Sequence, residues 1–135
     1  MSHIARVFLI CVTVVALLPV FSGCGTPASP GTNAEVVNLA DHFSYQVSSI
    51  QNYSGTTSYS WSNGGVQATI NQSCAVSGGT AVLVVLDGGG TQVYTRSLAD
   101  NGTFTTASGT PGTWTIRIVY DGVSATVNFR ADMTT

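Results

Sequence analysis

Apolar and polar residues are arranged in two different ways along this chain. Val7 to Phe21 (VFLICVTVVALLPVF) is almost continuously apolar, broken only by Thr13 and Pro19. From Phe43 onward, apolar residues alternate with Ser, Thr, Asn and Gln in short runs separated by Gly, Asn and Asp. Period-two alternation bounded by turn residues predicts antiparallel strands with one buried face. The predicted strands are Phe43–Ile50, Thr56–Ser62, Val66–Gln72, Ala81–Leu86, Thr91–Leu98, Thr103–Thr106, Thr113–Tyr120 and Val123–Arg130. Glu35 to Asp41 suits either a helical turn or an entering strand.

Turn chemistry suggests the pairing. Asp121-Gly122 suits a two-residue type I′ turn, which needs positive φ at both positions. It would pair Tyr120 with Val123, Ile118 with Ala125, Ile116 with Val127 and Trp114 with Phe129, all on one face. Asn63-Gly64 would likewise pair Ser62 with Gly65, Trp61 with Val66, Tyr59 with Ala68 and Thr57 with Ile70. A one-residue slip would scatter either apolar set over both faces. A third hairpin joins Ala81–Leu86 to Thr91–Leu98 through Asp87-Gly88-Gly89-Gly90, and its uninterrupted apolar run Val82–Leu86 predicts a strand covered on both faces. Regular short strands predict an all-β fold: an antiparallel two-sheet β-sandwich, immunoglobulin-like or jelly-roll-like, of about eight strands. Its expected core is Trp61, Ile70, Val84, Trp114, Ile116, Ile118, Val127 and Phe129.

The apolar amino-terminal run is shorter than the ~20 residues a spanning helix needs and contains a proline, which fits the helix of an export signal. Arg6 supplies a positive charge ahead of it. The run ends in Phe21-Ser22-Gly23-Cys24. This resembles the lipobox of bacterial lipoproteins, with Phe21 where Leu is usual. The resemblance implies a diacylglyceryl thioether on Cys24 and cleavage between Gly23 and Cys24. An ordinary cleaved signal peptide and an uncleaved anchor are the alternatives. The resulting organisation is a signal peptide over residues 1–23, a lipidated amino terminus and flexible linker over 24–38, and a β-sandwich over 39–135. Two or more acyl chains hold a protein stably to a bilayer, whereas one does so only marginally. Gly25 rather than Asp after Cys24 favours, by the same resemblance, the outer membrane of a Gram-negative host. The segment Gly25–Asn33 (GTPASPGTN) has the composition of a flexible spacer.

Charge narrows the function. Only 7% of residues are Asp, Glu, Lys or Arg, and Lys is absent. Beyond Cys24, three arginines face six acids, a net charge of −3 with no basic run. That excludes the electrostatic footprint of nucleic-acid binding. Cys74 would be the single thiol left after processing, suited to a small buried position rather than a nucleophile, since the nearest His, His42, stands at the domain's beginning. Asp87, Asp100 and Asp121 sit in Gly-rich or Asn-Gly contexts, where Asp organises turns. Neither an alternating calcium-binding acid run nor the carboxylate pair of a glycosidase emerges. No catalytic residue, metal site or cofactor is expected.

Among the aromatics, Tyr59, Trp61, Trp114 and Tyr120 belong to apolar faces. Tyr53, and Tyr94 if it faces outward, are the candidates for a ligand-binding surface. Gly109-Thr-Pro-Gly-Thr-Trp-Thr-Ile-Arg-Ile-Val, with Gly112, Trp114, Ile116 and Ile118, resembles the penultimate strand of bacterial pre-peptidase C-terminal-like sandwiches. That resemblance implies an accessory, non-catalytic domain. The expectation is a non-enzymatic envelope lipoprotein, exported and held to a bacterial membrane through Cys24, with an envelope protein or glycan as partner. The alternatives are a carbohydrate-binding module and, behind it, a small hydrolase. A row of outward aromatics would favour sugar binding, and a polar exterior would favour a structural module.

Overall fold

The computed structural model describes residues 27–135. The signal helix, Gly23 and Cys24 therefore lie outside the described residues. Within them the chain is all β: β1 (Thr32–Leu39), β2 (His42–Asn63), β3 (Gln67–Gln72), β4 (Ala75–Leu86), β5 (Gln92–Ser97), β6 (Gly102–Thr105) and β7 (Gly112–Thr134). Every pairing is antiparallel, and the seven strands form one connected sheet.

Two long strands carry this sheet. β2 and β7 run for 22 and 23 residues and pair from His42↔Asp132 to Asn63↔Gly112. Each covers two predicted strands, which reduces the expected eight to six, and β1, not among the predicted strands, makes seven. The side-chain alternation passes through both, but the inward positions skip to a spacing of three at Val47, Ile50 and Tyr53 and again at Tyr120 and Val123. An odd step between two inward residues requires an inserted residue, which is a β-bulge. The register of β2 against β7 shifts at these places, between Val47 and Ile50, Ile50 and Tyr53, and Tyr53 and Gly55. The backbone records the same event: Ser49, Asn52 and Gly122 take left-handed φ values of 56°, 43° and 54°.

Bulges bend strands, and here the bend lays the halves of β2 face to face. Phe43 and Tyr45 in its first half meet Tyr59 in its second, with ring centroids 5.5 and 5.8 Å apart. Beside the first half of β2 the strand order is β1-β2-β7-β3-β6. Beside its second half, the first half of β7 pairs instead with β4, and β4 with β5. The core fills the space between. Trp61 and Trp114, paired directly across the strands, meet edge to face at 6.0 Å. Such a pair contributes ~0.5–1.5 kcal/mol beyond its buried area.

Side chains and turns then tie the layers at their margins. Trp61 Nε1 donates to the Leu39 carbonyl at 3.1 Å, Asn38 Nδ2 to the Ser60 carbonyl at 2.8 Å, and the Asp41 N–H to the Ser62 carbonyl at 2.8 Å. On the opposite margin the buried Gln72 amide donates to the carbonyls of Ser97 and Asp100 at 3.0 and 2.8 Å.

Two predicted hairpins are corrected by this arrangement. Asp121-Gly122 is a bulge inside β7, and Tyr120 pairs with Gly55 and Ala81 rather than Val123. Asn63-Gly64 does not join paired strands either, because β7 lies between β2 and β3. The facing was nevertheless right in β7, where Trp114, Ile116, Ile118, Tyr120, Val123, Ala125, Val127 and Phe129 are all buried. Val66, expected inside, is 45% exposed. The hairpin through Asp87–Gly90 forms as expected, with Val85 opposite Tyr94. Its first strand buries Ala81, Leu83 and Val85, but Val82, Val84 and Leu86 are half-buried on the outer face. Val84 accordingly leaves the expected core.

Gly79 shows how tightly the bend is packed. It has φ +65°, and a Cβ there would stand 2.2 Å from the Gly122 carbonyl oxygen. Gly78 beside it faces open space. We predict that Gly79→Ala lowers unfolding stability by at least ~2 kcal/mol in urea titration, because left-handed strain and a backbone clash add. Gly78→Ala should stay within ~0.5 kcal/mol of the parent, as ordinary surface substitutions do. Equal effects would contradict the bend geometry.

Candidate functional site

The described chain joins the sheet at its bend. The Ser29 N–H donates to the Gln51 carbonyl at 2.8 Å, and the Gln51 N–H returns a bond to Ser29 at 3.1 Å. β1 then pairs with the first half of β2, from Thr32↔Ser48 to Leu39↔His42. The segment read as flexible linker through residue 38 thus contributes a strand, and the undecided stretch Glu35–Asp41 resolves as strand and tight turn. β1 stands at an end of the strand order and is exposed throughout, with Val36, Val37 and Leu39 at 41%, 43% and 60% exposure. An edge strand of this kind leaves a row of backbone donors and acceptors open to another strand. Sequence reading missed it because only four apolar side chains, on both faces, mark Ala34 to Leu39.

The two tyrosines singled out from the sequence lie apart and serve the interior. Tyr94 does not face outward: it is 7% exposed, and its hydroxyl donates to Gln72 Oε1 at 2.7 Å. Burial pushes its phenol up to about 12. Tyr53 is half-buried, edge-on to Tyr120 at 5.4 Å, and its ring lies against Gly55. Tyr120 is buried, and its hydroxyl meets that of Tyr45 at 3.1 Å. Burial raises its ionisation above the ordinary tyrosine range, with the Tyr45 hydrogen bond adding to the effect. Trp61 and Trp114 are buried and Tyr59 is half-buried. Phe104 is half-buried beneath the Arg96 guanidinium, 3.8 Å above its ring. Among the described residues no aromatic ring forms an exposed platform.

A shallow, open groove of about 360 Å³ lies at the bend, lined by Ser49, Ile50, Ala75, Val76, Ser77, Ala125 and Thr126. It contains hydroxyls and aliphatic carbons but no titratable side chain, so it offers neither a general base nor a nucleophile with an activating partner. Cys74 is buried between β3 and β4; its Sγ donates to the Asn128 carbonyl and accepts the Asn128 N–H, both at 3.3 Å. Burial raises its thiol pKa, which favours the unreactive form. His42 Nδ1 meets Asp132 Oδ1 at 2.5 Å across β2 and β7, on an exposed face with both side chains over a third accessible. Among the described residues, no three His, Cys, Asp or Glu side chains converge to hold a metal.

The predicted turn acids take distinct places. Asp121 is exposed in the β7 bulge, and Asp100 lies in the turn after β5, 3.7 Å from Arg96. Asp87 is the organising one. Its Oδ1 accepts the N–H groups of Gly89 and Thr91 at 3.0 and 2.8 Å, and its Oδ2 accepts that of Thr110 at 2.8 Å. One carboxylate thereby joins the β4–β5 loop to the approach of β7. The Thr110 bond, followed by that of Thr91, holds this carboxyl below the ordinary aspartate value of 3.8.

No protein-family model matches the chain, and no curated protein matches it.

A lowered folded pKa makes Asp87 a source of stability that is fully present above the unfolded value of 3.8 and is lost as pH falls through the lower folded value. Acidifying from about pH 6 to about pH 2.5 should therefore lower the urea midpoint more in the parent than in Asp87→Asn, which carries no titrating carboxylate there. Parallel midpoint curves for the two proteins would show that Asp87 is not held ionised by these bonds.

Proposed function

We propose that this chain is a lipid-anchored protein of the bacterial cell envelope with a non-enzymatic, structural or partner-binding role. The observation that carries the reading is the order of its parts. A short apolar run ends in Phe21-Ser22-Gly23-Cys24, and an all-β domain begins within a few residues, at Ser29. In this reading Cys24 carries the diacylglyceryl group, Gly23 is the last residue of the signal, and the outer membrane is the favoured site. The facing layers of the bent sheet support the finer description of the domain as a sandwich.

The exterior favours a protein partner over a sugar. Aromatic rings that a sugar could stack on are turned inward or covered, at Tyr94, Trp61, Trp114 and Phe104 alike. The accessible edge of β1, with Val36, Val37 and Leu39, offers instead the backbone groups by which an extended segment adds to a sheet. The pattern at Gly112 to Ile118, now the first half of β7, supports an accessory role as well. Its inward residues build the core rather than a reactive cleft.

Cys24→Ser tests the anchor. Cells expressing the parent should incorporate radiolabelled palmitate into this protein and retain it in membranes, and the variant should lose the label. Undiminished labelling of the variant would overturn the reading.

A further inference from the structure

The bend does more than fold the sheet, because it is also where the chain emerges toward Cys24. Ser29 is held to Gln51 by two backbone hydrogen bonds, and Gly31 is packed against Val47 and the Ser48 carbonyl. From Cys24 to Ser29 the chain spans five residues, at most ~17 Å when fully extended. The second halves of the long strands carry the domain away from that point. From Tyr53 to Asn63, ten residues rise about 33 Å along β2. The far end gathers Gly64, Gly65, the Asp87–Gly90 loop and Thr110–Gly112, since Asn63 pairs with Gly112 and the Gly88 N–H bonds to Thr110. The two ends thus stand at very different distances from any anchor on Cys24.

We propose that the bend end of the sheet is the surface that rests on the lipid headgroups. This inference builds on the lipidated Cys24 of the preceding section and adds the orientation of the domain. Polar residues exposed at the bend end include Ser49, Gln51, Asn52, Ser77, Thr80 and Thr126, and the charged Asp121 stands in the β7 bulge beside them. Hydroxyls and amides can exchange hydrogen bonds with headgroup glycerol, phosphate and water without burying an ion. None of these described residues is an arginine, so lipid charge does not attract them, and the short tether sets the orientation. The outer edge of β1 runs up from the bend and stays open to a partner above the membrane.

Fluorescence quenching on vesicles tests this. The lipidated full chain, purified from an expressing bacterium in a Cys74→Ala background, receives one new thiol, either Ser77→Cys at the bend or Gly89→Cys at the far end. A Cβ at Gly89 meets nothing closer than 3.5 Å, and Ser77 is exposed, so both positions accept a label. The labelled proteins are reconstituted into phosphatidylethanolamine–phosphatidylglycerol vesicles containing a rhodamine-headgroup lipid as energy acceptor. The donor at Ser77→Cys should be quenched at least threefold more than the donor at Gly89→Cys. Inserting ten Gly/Ser residues between Thr26 and Pro27 should bring that ratio close to one. Equal quenching in the short-tether protein, or a ratio that survives the insertion, would overturn the orientation while leaving lipidation standing. Failure of the parent to float with vesicles would overturn lipidation itself, and the orientation with it.

Discussion

The structure depends on one backbone constraint, the matched bulges where β2 and β7 turn through the middle of the sheet. Without inserted residues at Ser49, Asn52 and Gly122, two strands of 22 and 23 residues would make a long ribbon with one apolar face exposed to water. The bulges give each strand a second half that covers its first. Gly79 approaches Gly122 so closely that it has no room for a side chain: the space a Cβ would take at Gly79 already holds the Gly122 carbonyl. Ser49 and Asn52 adopt left-handed backbone without being glycine, a conformation that costs energy and persists only where the surroundings impose it. The rows of inward residues on both sides of the bend supply that imposition. Phe43, Tyr45 and Phe129 lie on one side of the core, and Tyr59, Trp61 and Trp114 on the other.

Much of this was legible in the sequence, and the parts that were not share a physical cause. The alternation Trp114, Ile116, Ile118, Tyr120, then Val123, Ala125, Val127, Phe129 identifies the inward face correctly. A two-residue break that returns apolar residues to the same face is, however, what both a hairpin turn and a bulge produce. The local pattern at Asp121-Gly122 is degenerate, and only the presence of partners on both sides of β7 selects the bulge. The same degeneracy affects Asn63-Gly64, where the buried Asn63 and the Asp41 carboxylate cap a crossing between layers. By contrast, Asp87-Gly88-Gly89-Gly90 was readable as a hairpin loop, because four consecutive turn-forming residues leave no strand to continue. Tyr94 could not be assigned from sequence. Its partner Gln72 is 22 residues away, and a buried glutamine carries no periodic signal.

The candidate site divides in the same way. The lipobox resemblance is local and linear, so it could be read without a fold. The edge of β1 is a property of the sheet's order, and nothing in Thr32–Leu39 declares that its outer side is left unpaired. The absence of lysine and the sparse charge also leave the edge with Glu35 as its only charged residue. An end strand so lightly guarded invites pairing, which agrees with the proposed partner-binding role.

The backbone NOE pattern of β7 tests the bent sheet most directly. In an isotopically labelled sample of the described domain, Val127 should show interstrand NOEs to Val47, and Ile118 to Thr57 and Leu83, as the register of one continuous strand requires. Interstrand NOEs between Ile118 and Ala125, with none from Ile118 to Thr57, would mean a hairpin at Asp121-Gly122 and would contradict the fold described.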